Sequence, residues 1–419
     1  MMGPTIDMIW VGRLGSASIA GVGISTMVVM MVGSLMMGLF TGLRAMVARF
    51  IGAGDASGAN NVMQQAFVIG AVFSIFTATI GLFLAEQILL VFGVEPDVVT
   101  EGAAYLRILL VGMVSMFLLR ITEASMQASG DAVTPMRVAI FYRVLHVVLV
   151  PFLVLGWWIF PRLGVSGAAL TNVISQSLGG AFGLWFLFSG RTRLRPTLRD
   201  FHPDKNTIWR MVKVGFPASI TGVQRSLPYL VLVWFVSPFG TFALAAYQLT
   251  RRIADFVMNP AAALGSSTGI LAGQNLGAGQ PERAEKNGWL AVGFFTGAAA
   301  VISAVVWFWA EPIISIFNGE PGLVETAATF LRIQIASYMI IGVVVVLSMC
   351  MEGAGDTFPI MLATLLSMWL IQAPLGYFLT QVTGIGVYGV QWAITGALLG
   401  RGTFFAIYFR LGRWKRKKI

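Results

Sequence analysis

A carboxylate held inside an apolar run can bind a proton or a cation, and Asp7 stands in such a run, Ile6-Asp7-Met8-Ile9-Trp10-Val11. A charge among lipid tails costs about 2.5–3.5 kcal/mol on insertion scales, so each one needs a partner or a task. Asp7 lies about seven residues before the end of its run, about 10 Å below a membrane surface at 1.5 Å per residue. Protonation there would toggle hydrogen bonding and helix bending; the competing reading is a salt bridge or an exposed helix end. Asp255 is the second candidate for ion coupling, about 18 Å inside its own run. Arg251 and Arg252 precede it at the helical spacing of opposite charges that pair, and a permanently paired aspartate stays ionised and cannot shuttle protons.

A third group, Arg120, Glu123, Arg143 and His146, falls at overlapping depths on two neighbouring apolar blocks. It reads either as a polar patch lining a cavity, with a histidine able to change charge between about pH 5 and 8, or as an interhelical salt bridge. Arg225 sits between Pro217 and Pro228, whose rings weaken the local ladder, and is expected to face a water-filled cavity. Asn172 and Gln176 are one helical turn apart, while Gln224, Gln248 and Gln372 lie in later blocks. Amides can line a substrate path or join helices at about 0.6 kcal/mol per hydrogen bond, and only a face shared with Asp7 would favour the first role. The 21 Met and 30 Phe residues suit a cavity that binds greasy molecules loosely, although most must face lipid.

What must position these residues follows from composition. Of 419 residues, 57% are hydrophobic and only 11% charged, against about 25% charged in ordinary soluble proteins. A chain so short of charge is an integral membrane protein, and its apolar content suffices for roughly twelve spans of about 20 residues. One cysteine, Cys350, and two histidines exclude a disulfide framework and a structural zinc cluster. Nucleotide-hydrolysing, zinc-protease and serine-hydrolase strings are absent, and Gly52-Ala-Gly-Asp-Ala-Ser-Gly58 lacks the strand and Lys-Ser/Thr of a phosphate loop. The net charge of +10 is concentrated beside apolar segments, where anionic headgroups rather than nucleic acid are the expected partners.

Apolar blocks fall at 5–14, 18–50, 62–84, 103–126, 136–159, 165–188, 210–236, 242–274, 288–309, 327–350, 359–380 and 387–409. The punctuation between them repeats at an offset of 225: Gly52-Ala53-Gly54 with Gly277-Ala278-Gly279, Glu95-Pro96 with Glu320-Pro321, Leu106-Arg107-Ile108 with Leu331-Arg332-Ile333, and Gly130-Asp131 with Gly355-Asp356. The offset falls to 222 by Gly164-Val165 and Gly386-Val387. Six blocks per copy is even, which predicts two parallel six-helix repeats related by an axis along the membrane normal. Expected divisions are an N-terminal lobe 1–190, a basic linker 191–209, a C-terminal lobe 210–409 and a basic tail 410–419. Lys and Arg crowd the linker and the tail, whereas the loops at 85–101 and 310–325 hold acids and neither Lys nor Arg, which puts both termini in the cytoplasm. The seventh block maps back to positions before residue 1, so the first helix is expected to be truncated at its start, a short re-entrant segment being the alternative.

These features together resemble the multidrug and toxic compound extrusion (MATE) family. The resemblance rests on Asp7-x-x-x-Val11-Gly12-Arg13-Leu14-Gly15 with Ala17-Ser18-Ile19-Ala20-Gly21-Val22, on the second-half counterpart Phe239 to Gln248, on the Gly-Ala-Gly turns and on Gly-Asp before Pro. It spans nearly the whole chain. It implies an all-α membrane protein with a central cleft that opens alternately to each side. It also implies export of organic, often cationic, compounds against inward proton or sodium flow, with Asp7 where many members carry a first-helix acid. The expectation is therefore a monomeric secondary-active exporter in the cell membrane, without cofactor or catalytic residues. Its coupling ion is expected to be the proton, with sodium as the alternative. Two departures matter. Arg225 stands where many sodium-coupled members place a glutamate, and Gln372 occupies the eleventh block, which has no clear acid. Arginines at 120, 143 and 225 would raise the cavity potential and make an anionic or zwitterionic substrate less surprising. A lipid-linked saccharide flippase or an anionic-metabolite exporter is the nearest rival, followed by a polytopic enzyme or a passive channel, for which neither a convergent nucleophile set nor a selectivity filter is visible.

Overall fold

Each of the twelve apolar blocks folds as a helix or a pair of helices, and no strand occurs among the described residues. The computed structural model describes residues 2–190, 192–194, 201–224, 227–317 and 319–419. The chain forms two compact units, Met1–Val47 with Asp55–Val212, and Ala48–Gly54 with Lys213–Ile419. Arg225 lies outside the described residues, as do 191 and 195–200 of the linker.

Unit 1 holds α1 (Met2–Val11), all but the last turn of α2 (Ser16–Gly52), α3 (Ala56–Leu90), α4 (Pro96–Val111), α5 (Met113–Ala128), α6 (Val133–Leu155), α7 (Gly164–Phe188) and the start of α8 (Lys205–Gln224). Unit 2 continues with α9 (Leu227–Val236), α10 (Thr241–Gly277), α11 (Pro281–Ser315), α12 (Pro321–Gly353), α13 (Phe358–Leu366), α14 (Ala373–Tyr377) and α15 (Tyr388–Arg410). Wider π turns at Ser367–Gln372 and Phe378–Val382 join α13 and α14 into one rod.

Among the described residues, α2, α3, α6, α11, α12 and the Phe358–Val382 rod are long and apolar enough to cross a membrane; α4 and α5, bent by 44°, make a seventh span. The others are less apolar or shorter for visible reasons: α7 carries Asn172 and Gln176, α10 carries Arg251, Arg252 and Asp255, and α1 has 10 residues.

The internal repeat sets the helix boundaries. Ser16 and Thr241, Ala56 and Pro281, Pro96 and Pro321, and Val133 and Phe358 open successive helices in the two units, each pair 225 positions apart. The Gly-Ala-Gly turns end their helices with Gly54 at φ +76° and Gly279 at φ +70°, a left-handed conformation that costs glycine no Cβ clash. Asp55 then caps α3, accepting a hydrogen bond of 2.8 Å from the Gly58 amide.

Asp204 caps α8 in the same way. It accepts from the Thr207 hydroxyl at 2.5 Å and the Asn206 amide at 2.9 Å, and these bonds hold its carboxyl below the usual carboxylate range. At the other end of the chain, the basic tail folds back onto unit 2. Trp414 is fully buried and stacks on Phe409, Lys415 pairs with Glu285, and Lys417 pairs with Asp356 at 3.1 Å. The core of unit 2 gathers on α12 through Phe330, Leu331, Tyr338 and Leu347. The core of unit 1 beside α1 is made by Val11, Val22, Tyr105, Val150, Val154, Val165, Ala168 and Ala169.

Candidate functional site

Three helices of unit 1 meet at one carboxylate. On α1, Asp7 and Val11 are one turn apart on the same face and are 1% and 0% exposed, so the apolar residue that anchors the helix also turns the acid inward. On α6, His146 shares its face with Val150 and Val154, both in the same core. On α7, Asn172 follows Ala168 by one turn. Gly167 lets the backbones of α6 and α7 touch: a Cβ there would collide with the Leu153 carbonyl. This close crossing brings His146 and Asn172 to the same carboxylate.

The geometry is that of a doubly held acid. His146 Nε2 lies 3.0 Å from Asp7 Oδ1, and Asn172 Nδ2 donates to Asp7 Oδ2 at 2.8 Å. With a proton on Nε2, His146 donates too, so each carboxylate oxygen accepts one N–H from a different helix. Asn172 Nδ2 also lies 3.3 Å from the Ala168 carbonyl, which fixes the amide's orientation. The group borders a cavity of about 140 Å³ whose polar wall is Asp7, Thr26, Tyr105, Asn172 and Gln176. Val29, Met30, Met116, Asn172 and Gln176 also line a larger cavity of about 530 Å³, along with Arg120, Tyr142, Arg143 and His146.

The structure regroups the residues singled out from the sequence. Asp7, His146, Asn172 and Gln176, read as three separate candidates, border one site. Arg120 and Glu123 do pair, at 3.1 Å, but within α5 rather than between helices. His146 leaves that patch for Asp7, and Arg143 lies over the Tyr142 ring at 5.4 Å. Asp255, on α10 of unit 2, is half-buried, while Arg251 and Arg252 one turn before it are exposed. Gln248 and Gln372 are half-buried in unit 2, Gln372 at the end of the first π turn, and Gln224 packs against Met368. Thr26 and Tyr105 were not anticipated, because a neutral residue within an apolar run carries no charge signal. Unit 2 contains a further polar set: Gln334 donates to Gln391 at 3.0 Å and accepts from Tyr338 at 3.1 Å.

Comparison with known proteins adds three findings. The MatE family model matches residues 1–152 and 217–378. Among curated relatives, the Bacillus subtilis protein named "Probable multidrug resistance protein YoeA" is 27% identical over 100% of this chain and 91% of its own length. A Shewanella oneidensis FAD transporter is 21% identical over 95% of this chain and 88% of its own length. Among solved structures, a MOP superfamily transporter from Pyrococcus furiosus, described as having a binding pocket of reverse polarity, superposes with a TM-score of 0.86 at 23% identity, covering 98% of this chain and 91% of that one.

Proposed function

The chain belongs to the multidrug and toxic compound extrusion (MATE) family, a family of membrane transporters and not of enzymes, and from that membership we propose that it exports small organic compounds by proton antiport through alternating access. The reading carries the relatives' multidrug-resistance names to this chain and places it in the cell membrane as a monomer with both termini cytoplasmic. The observation that carries it is the carboxylate of Asp7, buried, bound by donors from α6 and α7, and bordering a cavity.

A proton taken up by the Asp7–His146 pair cancels the net negative charge of the cluster: on the carboxylate it removes that charge, and on the imidazole it offsets it with a positive one. Either event changes the attraction that ties α1 to α6 and α7, so occupancy by the proton and the position of α1 become linked. The donor set favours the proton over sodium. Both oxygens of Asp7 already accept N–H groups, and a hard alkali cation, which takes oxygen ligands, would have to displace them. Proteoliposomes loaded with carboxyfluorescein and rhodamine 6G provide the test. A pH gradient alone should drive efflux of at least one dye and a sodium gradient alone should drive neither. Efflux driven only by sodium would shift the coupling ion, and efflux driven by neither would remove the exporter reading.

A further inference from the structure

Resting on the exporter reading, we propose that the larger cavity of unit 1 is a site for an amphipathic organic anion, with Arg143 as the group that receives its carboxylate, sulfonate or phosphate. At about 530 Å³ it falls in the range of about 300–1,000 Å³ that small-molecule sites occupy. Its charged lining consists of Arg120 and Arg143, with His146 beside them, and no carboxylate lines it. Glu123, the acid nearest to these arginines, is engaged by Arg120 at 3.1 Å. Among the described residues Arg143 forms no ion pair, although it lies near enough to Glu123 to attract that carboxylate; its guanidinium lies over the Tyr142 ring and is exposed, with donors left for a ligand. A guanidinium offers a fork of N–H groups matched to an oxyanion, and its seat over the buried Tyr142 ring holds that fork in place. Asn172, Ser175 and Gln176 add neutral polar groups, and the rest of the wall, with Val29, Met30, Met116, Val144 and Val147, is apolar and pliable, which suits varied hydrophobic bodies. Asp7 lines the smaller cavity and not this one, so proton and anion occupy different groups. The arginines belong to this unit alone: at the repeat offset of 225, Arg120 corresponds to Val345.

Two xanthene dyes of similar shape and opposite charge, carboxyfluorescein and rhodamine 6G, separate the alternatives. Their binding to the full chain in phosphatidylcholine nanodiscs is measured at equilibrium by fluorescence anisotropy, against empty nanodiscs. Carboxyfluorescein should bind about tenfold tighter than rhodamine 6G, Arg143→Gln should weaken it by about tenfold, and Arg143→Lys should restore part of the loss. Equal or reversed preference between the dyes overturns the proposal, and so does an Arg143→Gln protein, monodisperse by size exclusion, that binds carboxyfluorescein like the wild type. Should Arg143→Gln not fold, the wild-type preference and Arg143→Lys decide. Adding phosphatidylglycerol to the nanodiscs distinguishes the source of the anionic group. Undiminished dye binding supports a small-molecule site, and its abolition marks a lipid-headgroup site and overturns the proposal. Because no gradient is applied, the result stands apart from the exporter reading. Gradient-driven efflux of rhodamine 6G alone would sink the anion site and leave the exporter, whereas selective carboxyfluorescein binding without driven efflux would do the reverse.

Discussion

Asp7 is stable where it stands because both its oxygens are served. Leaving a buried charge with one donor fewer costs about 1–3 kcal/mol, so His146 and Asn172 are as much a part of the site as the acid. His146 adds what an amide cannot, a ring nitrogen that can take a proton. His146→Gln keeps a donor of similar reach and removes the protonatable ring. Driven efflux should persist in this variant with an altered dependence on pH, as read from initial rates across a pH series. An unchanged pH profile would show that the imidazole takes no part. The sequence pointed to Asp7 on grounds that hold for any lone acid in an apolar run. It could not reveal its partners, since His146 is 139 positions away and Asn172 is 165, and no spacing rule reaches that far. Asp255 met the same criterion in the sequence, and it is only half-buried where Asp7 is fully enclosed.

At the level of elements, the site depends on how closely α6 and α7 cross. Gly167→Val should force these helices apart at the Leu153 carbonyl, cost about 1–3 kcal/mol of overpacking, and reduce driven efflux by separating His146 from Asn172. Gly167→Ala should do the same to a smaller extent. Melting temperature in detergent and dye efflux read the two effects, and a Val variant as stable and active as the wild type would refute this account of the crossing. The same logic explains one break in the repeat. Gly112 separates α4 from α5 and packs against Val173 of α7, while its counterpart Ser337 continues α12 unbroken and hydrogen-bonds Thr395 of α15 at 2.7 Å. The helix boundaries were legible because turn residues kept their order at a constant offset. The bend at Gly112 was not, since it lies where α4 and α5 meet Val173 of α7, a helix distant in sequence.

Across the whole molecule the two units share a plan and differ in chemistry. At the repeat offsets, Asp7 corresponds to Leu232, Arg120 to Val345, Asn172 to Ile394 and Gln176 to Leu398. Leu232 is 4% exposed in the unit 2 core, and the polar set that unit 2 builds from Gln334, Gln391 and Tyr338 is neutral. Duplication therefore supplied the scaffold twice, and the ionisable cluster at α1, α6 and α7 was elaborated once. On the proposed exporter reading, proton coupling then rests on a single carboxylate, which one substitution isolates. Asp7→Asn keeps the size and removes the titratable charge. In proteoliposomes under an imposed pH gradient, the variant should still bind dye but drive no uphill efflux, falling to the rate of protein-free vesicles. Uphill efflux at the wild-type rate from Asp7→Asn would contradict the account.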